Sequence, residues 1–420
     1  MNILLIGSGG RESAFAWKLS QSPLMKKLYI TPGNAGTAQY GKNVDIDIFD
    51  INNLIEFITT KNISMVIVGP ESPLVGGIYD MIKELLPQIM IIGPSKNGAM
   101  LEGSKSFAKK FMREFNIPTA EYGLFTKETK KEAFEFIDQM TLPIVLKADG
   151  LAGGKGVSII SNKTEAKKEF EDLVEGKFGD SSEKVIIEQF LTGIEYSVFV
   201  VTDGKKFKML PVAKDYKRIG EGNTGKNTGG MGAVSPVSFI NDELMINTVL
   251  KVIQPTIAGL WQKNIDYKGF IYFGLINVNN EPYVIEYNCR MGDPETQVVL
   301  PRLKNDLVEL LIAVYRGDLD KHTIFHSAEA AVGIVLTSDG YPDKYDTGYE
   351  IENLDKSDDS IFFHSGTTKS DNKYFTSGGR VLTITSFGKT KQDALNNALK
   401  TAGNIDFKNK YYRKDIGLDF

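Results

Sequence analysis

A chain of 420 residues exceeds what one hydrophobic core organises, so roughly two to four domains are expected. Its 42% hydrophobic and 24% charged content is that of folded globular proteins, and a formal net charge of −4 excludes a whole-molecule field that gathers nucleic acid nonspecifically. The single cysteine, Cys289, excludes an intrachain disulfide and a thiolate metal cluster; the three histidines, His322, His326 and His364, all in the last quarter, leave the earlier chain without an imidazole base for Ser-His-Asp or Cys-His hydrolysis.

The opening MNILLIGSGGRES has no basic stretch before its short apolar run, so it reads as a first strand and not as an export signal. No apolar stretch approaches the roughly 20 residues that cross a bilayer, and a cytoplasmic protein is expected. Strands at 2–6, 27–31, 65–68 and 89–92 alternate with helices at 12–20 and 51–60, which implies a doubly wound parallel sheet. Ligands of such sheets collect at the carboxyl ends of the strands, where GSGGRE, TPGNAGT and VGPES stand. A helix at 106–115 stops at Pro118. Then follow a helix near 130–140, a strand at 143–148, a glycine-rich segment, a strand at 156–160 and a helix near 164–175. A strand at 185–190, with 195–201 as its antiparallel partner, completes a compact α+β unit, a lid over about 122–192. A polar loop (220–232), a helix (242–261) and adjacent strands at 269–278 and 282–288 come next; Leu307, Leu310, Leu311 and Val314 then repeat at helical spacing. The last stretch has strands near 330–336 and 380–385, a helix near 391–402 and a polar loop at 356–360. The expected architecture is α/β and α+β multidomain, with units 1–104, 105–324 and 325–420.

Five segments carry chemistry. In GSGGRE, Gly7 and Gly9 open like a dinucleotide fingerprint, but Glu12 occupies the third glycine position and no carboxylate follows the second strand. Phosphate binding by Gly9, Gly10 and Arg11 at a helix N-terminus stands beside a plain tight turn that needs glycine only for its backbone. KADGLAGGKG fails the P-loop pattern because Asp149 and Gly156 hold the positions of its glycine and hydroxyl residue. What remains is a flexible loop with Gly153, Gly154 and Lys155 that can fold over a triphosphate, with Lys147 as a second cation; a glycine-rich turn with a solvated lysine is the plain alternative. IIEQFLTGIEYSV offers Phe190 and Leu191 to a base and Glu195 to ribose hydroxyls, yet a hairpin with solvated Glu188 and Glu195 reads identically. In YVIEYNCRMGDPETQ, alternation puts Glu286 and Asn288 on one face, two oxygen donors suited to Mg2+, with Arg290 adjoining to clamp a carboxylate or acyl phosphate. Gly292, Asp293, Pro294 and Glu295 turn the chain, and so dense a charged run inside apolar strands costs desolvation unless it is used. Cys289 points the other way and is expected to pack. Lastly, NTGGMGAVSP can present N–H groups to an anionic intermediate, while Asp215, Lys217 and Arg218 of KDYKR form a mixed-charge cluster or an ordinary exposed salt-bridge group.

Together with IVGPESPLV, LEGSK, IPTAEY and the closing YRKDIG, these segments resemble the ATP-grasp superfamily across essentially the whole chain and, within it, the phosphoribosylamine–glycine ligase family. The resemblance implies a pre-ATP-grasp amino-terminal domain, a central ATP-grasp fold and the reaction of glycine with ATP to give glycyl phosphate. The amine of 5-phosphoribosylamine then attacks, releasing ADP and phosphate, a step of purine biosynthesis. It implies that Lys105, Lys147 and Lys155, with Gly153 and Gly154, hold the ATP phosphates. It further implies that Glu188, Phe190, Leu191 and Glu195 hold adenosine, and that Glu286 and Asn288 bind Mg2+ or Mn2+. Arg290, Asp215 and Lys155 are the implied catalytic residues, with Arg290, Asp215, Gly292, Asp293 and Pro294 positioning glycine. Gly10, Asn34 and Glu71 are implied to face phosphoribosylamine. Ser13 and Tyr216 stand where the family usually has histidine, and residues 270–278 hold no acid, so the metal site rests on few protein ligands. Small-molecule partners, no nucleic acid, no membrane and a monomer complete the expectation. The alternatives are another ATP-grasp carboxylate–amine ligase, such as a biotin-carboxylase-like enzyme, or a non-catalytic nucleotide-binding regulator.

Overall fold

The structure, a computed structural model, describes residues 1–153, 156–354 and 360–420. Its amino-terminal strands form the expected parallel array: Asn2–Gly7 lies between Lys27–Pro32 and Ile63–Val68, and Met90–Pro94 pairs with the latter. Their apolar side chains are buried on both faces, with Leu4 and Ile6 in one cluster and Ile3 and Leu5 in another. Continuous apolar runs of this kind are what a sheet covered on both sides requires. Three helices escaped the periodicity, Glu71–Gly76, Ile78–Leu85 and Lys96–Gly103. They are short and interrupted by glycine, too brief for a 3.6-residue pattern to emerge.

This sheet does not end with its own unit. Tyr267 and Lys268 pair antiparallel with Pro94 and Gly93, so the long strand Tyr267–Val278 carries the same sheet into the central part of the chain. Ile194–Thr202 and Glu281–Asn288 flank that strand, and nine strands share one sheet.

The expected pairing of 185–190 with 195–201 is corrected. Lys184–Gln189 has both edges occupied, by Tyr122–Thr126 and Ile144–Ala148, and Val157–Ile160 completes that four-stranded sheet. Ile194–Thr202 belongs to the large sheet instead. Gly193 therefore joins two sheets and makes no hairpin turn. A Cβ there would meet the Asn277 carbonyl oxygen at 2.1 Å, which is why the position is glycine. Helices Lys130–Gln139 and Lys163–Val174 cover the small sheet around its own core of Ile137, Leu146, Phe170 and Ile187.

A third sheet runs Lys214–Asp215, Gly232–Ser235, Ala330–Thr337, Arg380–Gly388, Ile361–His364. The GGMGAVS segment thus pairs with the carboxy-terminal strand Ala330–Thr337 and brings the KDYKR strand into the same sheet, which sequence order does not show. The expected loop at 220–232 contains a short hairpin, Arg218–Gly220 with Thr224–Asn227.

One reading of length is also corrected. Asp242–Gln262 is a 21-residue helix, long and apolar enough by those criteria alone to cross a bilayer. It includes one π turn, Val249–Ile253, and sends Leu244, Val252, Ile253, Ile257 and Leu260 into the main core.

Candidate active site

The cleft is built around strand Glu281–Asn288. Simple alternation puts Val284 on the face of Glu286, yet Val284 is fully buried. The pairing shifts between Gly274 and Leu275, which oppose Glu286 and Val284, and leaves Ile285 as an extra residue. This bulge turns Val284 and Tyr287 into the core and Glu286 and Asn288 outward together. Gly274 makes room for the carboxylate arm: a Cβ there would stand 2.9 Å from Glu286 Cγ.

Cations converge on that face. Lys217 Nζ lies 3.6 Å from Glu286 Oε1 and 3.2 Å from Glu195 Oε2. Lys147 donates to the Ile285 carbonyl at 3.4 Å and pairs with Glu188 at 3.0 Å. Lys105 opens helix Lys105–Glu114, whose N-cap is Ser104, and donates to the Gly150 carbonyl at 3.0 Å. Burial pulls Lys105 below the usual lysine value, with Glu286 opposing and Lys147 assisting. The Glu286 side chain keeps 41% of its surface, reaching solvent from deep within the cleft. Desolvation there raises its carboxyl, but Lys217, Lys147, Lys105 and Arg290 outweigh it and hold the group below the ordinary range. The Asn288 amide makes no hydrogen bond to another described residue. One ionised and one uncommitted oxygen donor on a single face fit a hard divalent cation that keeps waters and phosphate oxygens. Among the described residues no group of three His, Cys, Asp or Glu could hold a metal, so the protein donors would number two.

Glu188, expected at adenosine, is 3% exposed and clamps Lys147 and, at 3.2 Å, Lys109. Lys109, one turn after Lys105, went unread; burial lowers it to about 8, with Glu188 opposing. Phe190 and Leu191 are half-buried in the link between the small sheet and the large one. Glu195 is engaged with Lys217 beside Glu286. Gly153 takes a left-handed φ of 57° with nothing near its open side. Gly154 and Lys155 lie outside the described residues.

Arg290 is held by two carboxylates. Its Nη2 sits 2.7 Å from Glu102 Oε1, and its Nε 3.3 Å from Glu71 Oε2. Burial raises the Glu71 carboxyl, but Arg290 and Arg11 overcome it. Glu102 also accepts from the Cys289 N–H at 2.8 Å and its thiol at 3.2 Å. Cys289 is buried as expected, with a carboxylate partner. Asp215, half-buried, and Glu295, buried against Gly292, are acids that feel one another's charge. Burial raises Asp215, Lys217 opposing and Glu195 and Glu286 assisting; burial and the charge of Asp215 raise Glu295.

The amino-terminal candidates are largely spoken for. The Gly9 N–H donates to Glu12 Oε2 at 2.7 Å, and Arg11 Nε to Glu12 Oε1 at 2.6 Å, so the expected phosphate cradle is capped by the chain's own carboxylate. Gly10 is pressed against Gln297 and Ser365, where a Cβ would stand 2.4 and 2.7 Å from their polar atoms. The Asn34 amide donates to the Ser8 and His364 carbonyls at 2.7 and 2.8 Å, and its oxygen accepts from the Gly36 and Thr37 N–H groups at 2.8 and 3.0 Å. Its side chain braces the loop. A separate recess of 800 Å3 beside Trp17, Tyr40, Phe362 and Tyr374 contains none of the candidate residues.

Lysines and arginine around an ionised carboxylate, with no imidazole, suit phosphoryl transfer, which needs charge neutralisation and positioning more than proton chemistry.

Family models described as phosphoribosylglycinamide synthetase match in three parts, the N domain at residues 1–102, the ATP-grasp (A) domain at 103–296 and the C domain at 331–419. The phosphoribosylamine–glycine ligase of Haemophilus influenzae is 45% identical over 424 residues, covering 99% of this chain and 98% of its own. The enzyme of that name from Escherichia coli O157:H7 is 42% identical over 424 residues with the same coverage. The crystal structure of phosphoribosylamine–glycine ligase from Thermotoga maritima superposes with a TM-score of 0.87 at 33% identity, covering 99% of this chain and 100% of that one. The biotin carboxylase domain of a Hydrogenobacter thermophilus 2-oxoglutarate carboxylase, solved with MgADP, shares the fold alone, at a TM-score of 0.75 and 15% identity over 98% of this chain and 91% of that one.

Proposed function

The chain belongs to the phosphoribosylglycinamide synthetase family of ATP-grasp ligases, and from that premise we propose how its cleft joins glycine to 5-phosphoribosylamine. It is an ATP-dependent ligase of purine biosynthesis; full-length relatives named for the glycine reaction disfavour the alternatives of another carboxylate ligase or a regulator. The observation that carries the reading is the shared outward face of Glu286 and Asn288 among Lys105, Lys147 and Lys217.

Glu286 and Asn288 would hold Mg2+ or Mn2+, which when bound would neutralise charge on the transferring phosphates. Lys105, Lys147 and Lys155 take phosphate oxygens, together with Gly153 and Gly154. Glu188 keeps Lys147 aimed, Phe190 and Leu191 receive the base, and Glu195 orients Lys217. Arg290, itself aligned by Glu71 and Glu102, meets the glycine carboxylate and then the acyl phosphate. Asp215 and the Gly292, Asp293, Pro294 turn seat the rest of glycine, and Gly10 borders the phosphoribosylamine side. Excluding water protects the acyl phosphate until the amine attacks. The units 1–104, 105–324 with a lid at about 122–192, and 325–420 act as one monomer in the cytoplasm, without nucleic acid or membrane.

ADP release is expected to require both glycine and phosphoribosylamine, and equal turnover with another amino acid would refute the glycine assignment. Glu286→Ala should lose essentially all turnover with its circular dichroism unchanged. Wild-type-like ADP release from that variant would refute the metal assignment.

A further inference from the structure

The carboxy-terminal unit reaches the cleft through Arg380, the first residue of strand Arg380–Gly388. Its Nη1 donates to the Gly229 carbonyl at 2.5 Å and to the Asp293 carbonyl at 2.9 Å, and lies 3.3 Å from Asp293 Oδ1. The guanidinium lies so close to Gly229 that a Cβ there would stand 3.0 Å from Arg380 Cζ. From the same unit, Tyr341 Oη accepts from the Gly229 N–H at 2.9 Å. Asp293 in turn accepts from the Arg11 N–H at 3.5 Å and from Gln297 Nε2 at 2.7 Å. One guanidinium therefore ties the NTGGMGAVSP loop to the 292–294 turn, while Asp293 ties that turn to the first helix of the chain.

What Arg380 grips is the acceptor side of these peptides. The N–H groups of Gly292 and Asp293 make no hydrogen bond to another described residue. Holding the Asp293 carbonyl and carboxylate restrains the short turn that carries those donors, two and three residues after Arg290. The two turns it joins pack against one another, a Cβ on Gly230 standing 2.3 Å from Pro294 Cδ, and both border the face that carries the candidate glycine residues.

We propose that Arg380 is a positioning residue for the glycine half of the reaction: it sets the Gly229 peptide and the Gly292–Asp293 donors around the carboxylate of glycine and its acyl phosphate, and leaves the nucleotide half untouched. This rests on the reading of the 292–294 turn given above. It assigns the carboxy-terminal unit a part in substrate orientation, where covalent chemistry is not required of it.

The experiment compares the full-length wild type with Arg380→Ala and Arg380→Lys in a coupled ADP-release assay, alongside calorimetric binding of a non-hydrolysable ATP analogue with Mg2+. Loss of the charge-assisted hold on the Gly229 and Asp293 peptides should raise KM for glycine about tenfold or more in Arg380→Ala. The analogue's Kd should stay within about twofold, and Arg380→Lys should recover part of the glycine effect, because it keeps the charge without the fork. An unchanged KM for glycine, or equal weakening of glycine and nucleotide, overturns the proposal. If Arg380→Ala does not fold, Arg380→Lys decides by the same comparison. Absence of glycine-dependent ADP release in the wild type would refute the ligase reading instead, so the two failures are distinguishable.

Discussion

Glu295 shows what burial does to a carboxyl in this cleft. It is 3% exposed, and burial together with the charge of Asp215 places its folded-state ionisation above the 4.5 of an ordinary glutamate. As pH rises the unfolded chain gives up this proton first, so the unfolded state binds fewer protons over that interval. Stability then falls with rising pH from about 4.5 up to the raised value and stays lowered beyond it. Glu295→Gln keeps the shape and cannot ionise. Its thermal midpoint is expected to exceed that of the native chain at pH 8 and to converge with it near pH 4.5, and a gap that widened on acidification would contradict the assignment. Glu286 follows a second rule: though desolvated, it stays ionised because four cations face it. Residue type announced the candidate groups, but which of two neighbouring acids keeps its proton depends on distant partners.

Two backbone details at the scale of elements carry the site. The extra residue Ile285 reverses the alternation of its strand, and without it either Val284 or Glu286 would face the wrong way. Gly193 lets the small sheet and the large sheet pass within reach of one another; its missing Cβ would meet the Asn277 carbonyl oxygen at 2.1 Å, backbone against backbone. Gly193→Ala is therefore expected to lower stability by about 1–3 kcal/mol. A urea unfolding midpoint equal to wild type would show that the close approach relaxes freely. Long periodic elements were legible: helix Ile51–Thr60 and the strand pair Tyr267–Val278 with Glu281–Asn288 stand where alternation and helical spacing put them, within a residue or two. The short helices and the partner of Lys184–Gln189 were not, since a strand's pattern states which face is apolar and is silent on which neighbour takes its edge.

The whole molecule is closed by its last residues. Arg413, fully buried, donates to the Arg218 carbonyl and Asn223 Oδ1, both at 3.0 Å, and to Asp415 at 2.8 and 2.7 Å. Asp419 pairs with Lys214 and Tyr216 behind the KDYKR strand. Arg413→Ala removes a buried cation from these partners and is expected to cost about 2–4 kcal/mol. Equal denaturation midpoints for variant and wild type would exclude that role. Tyr216 stands where the resemblance implies a histidine, and here its hydroxyl joins this closing network.

The amino-acid sequence by itself determined the class of fold, the family, and the face that carries Glu286 and Asn288. Each is written in local signals: a period of two, a period near 3.6, and motifs whose spacing survives without coordinates. Only the tertiary structure decided that one sheet runs through two units by way of Tyr267 and Pro94, and that Arg290 belongs to Glu71 and Glu102, Lys147 to Glu188 and Arg380 to Asp293. The reason is physical. Charge pairing falls off with distance through space, and the distances between residues far apart in the chain are set by packing, which no local pattern encodes.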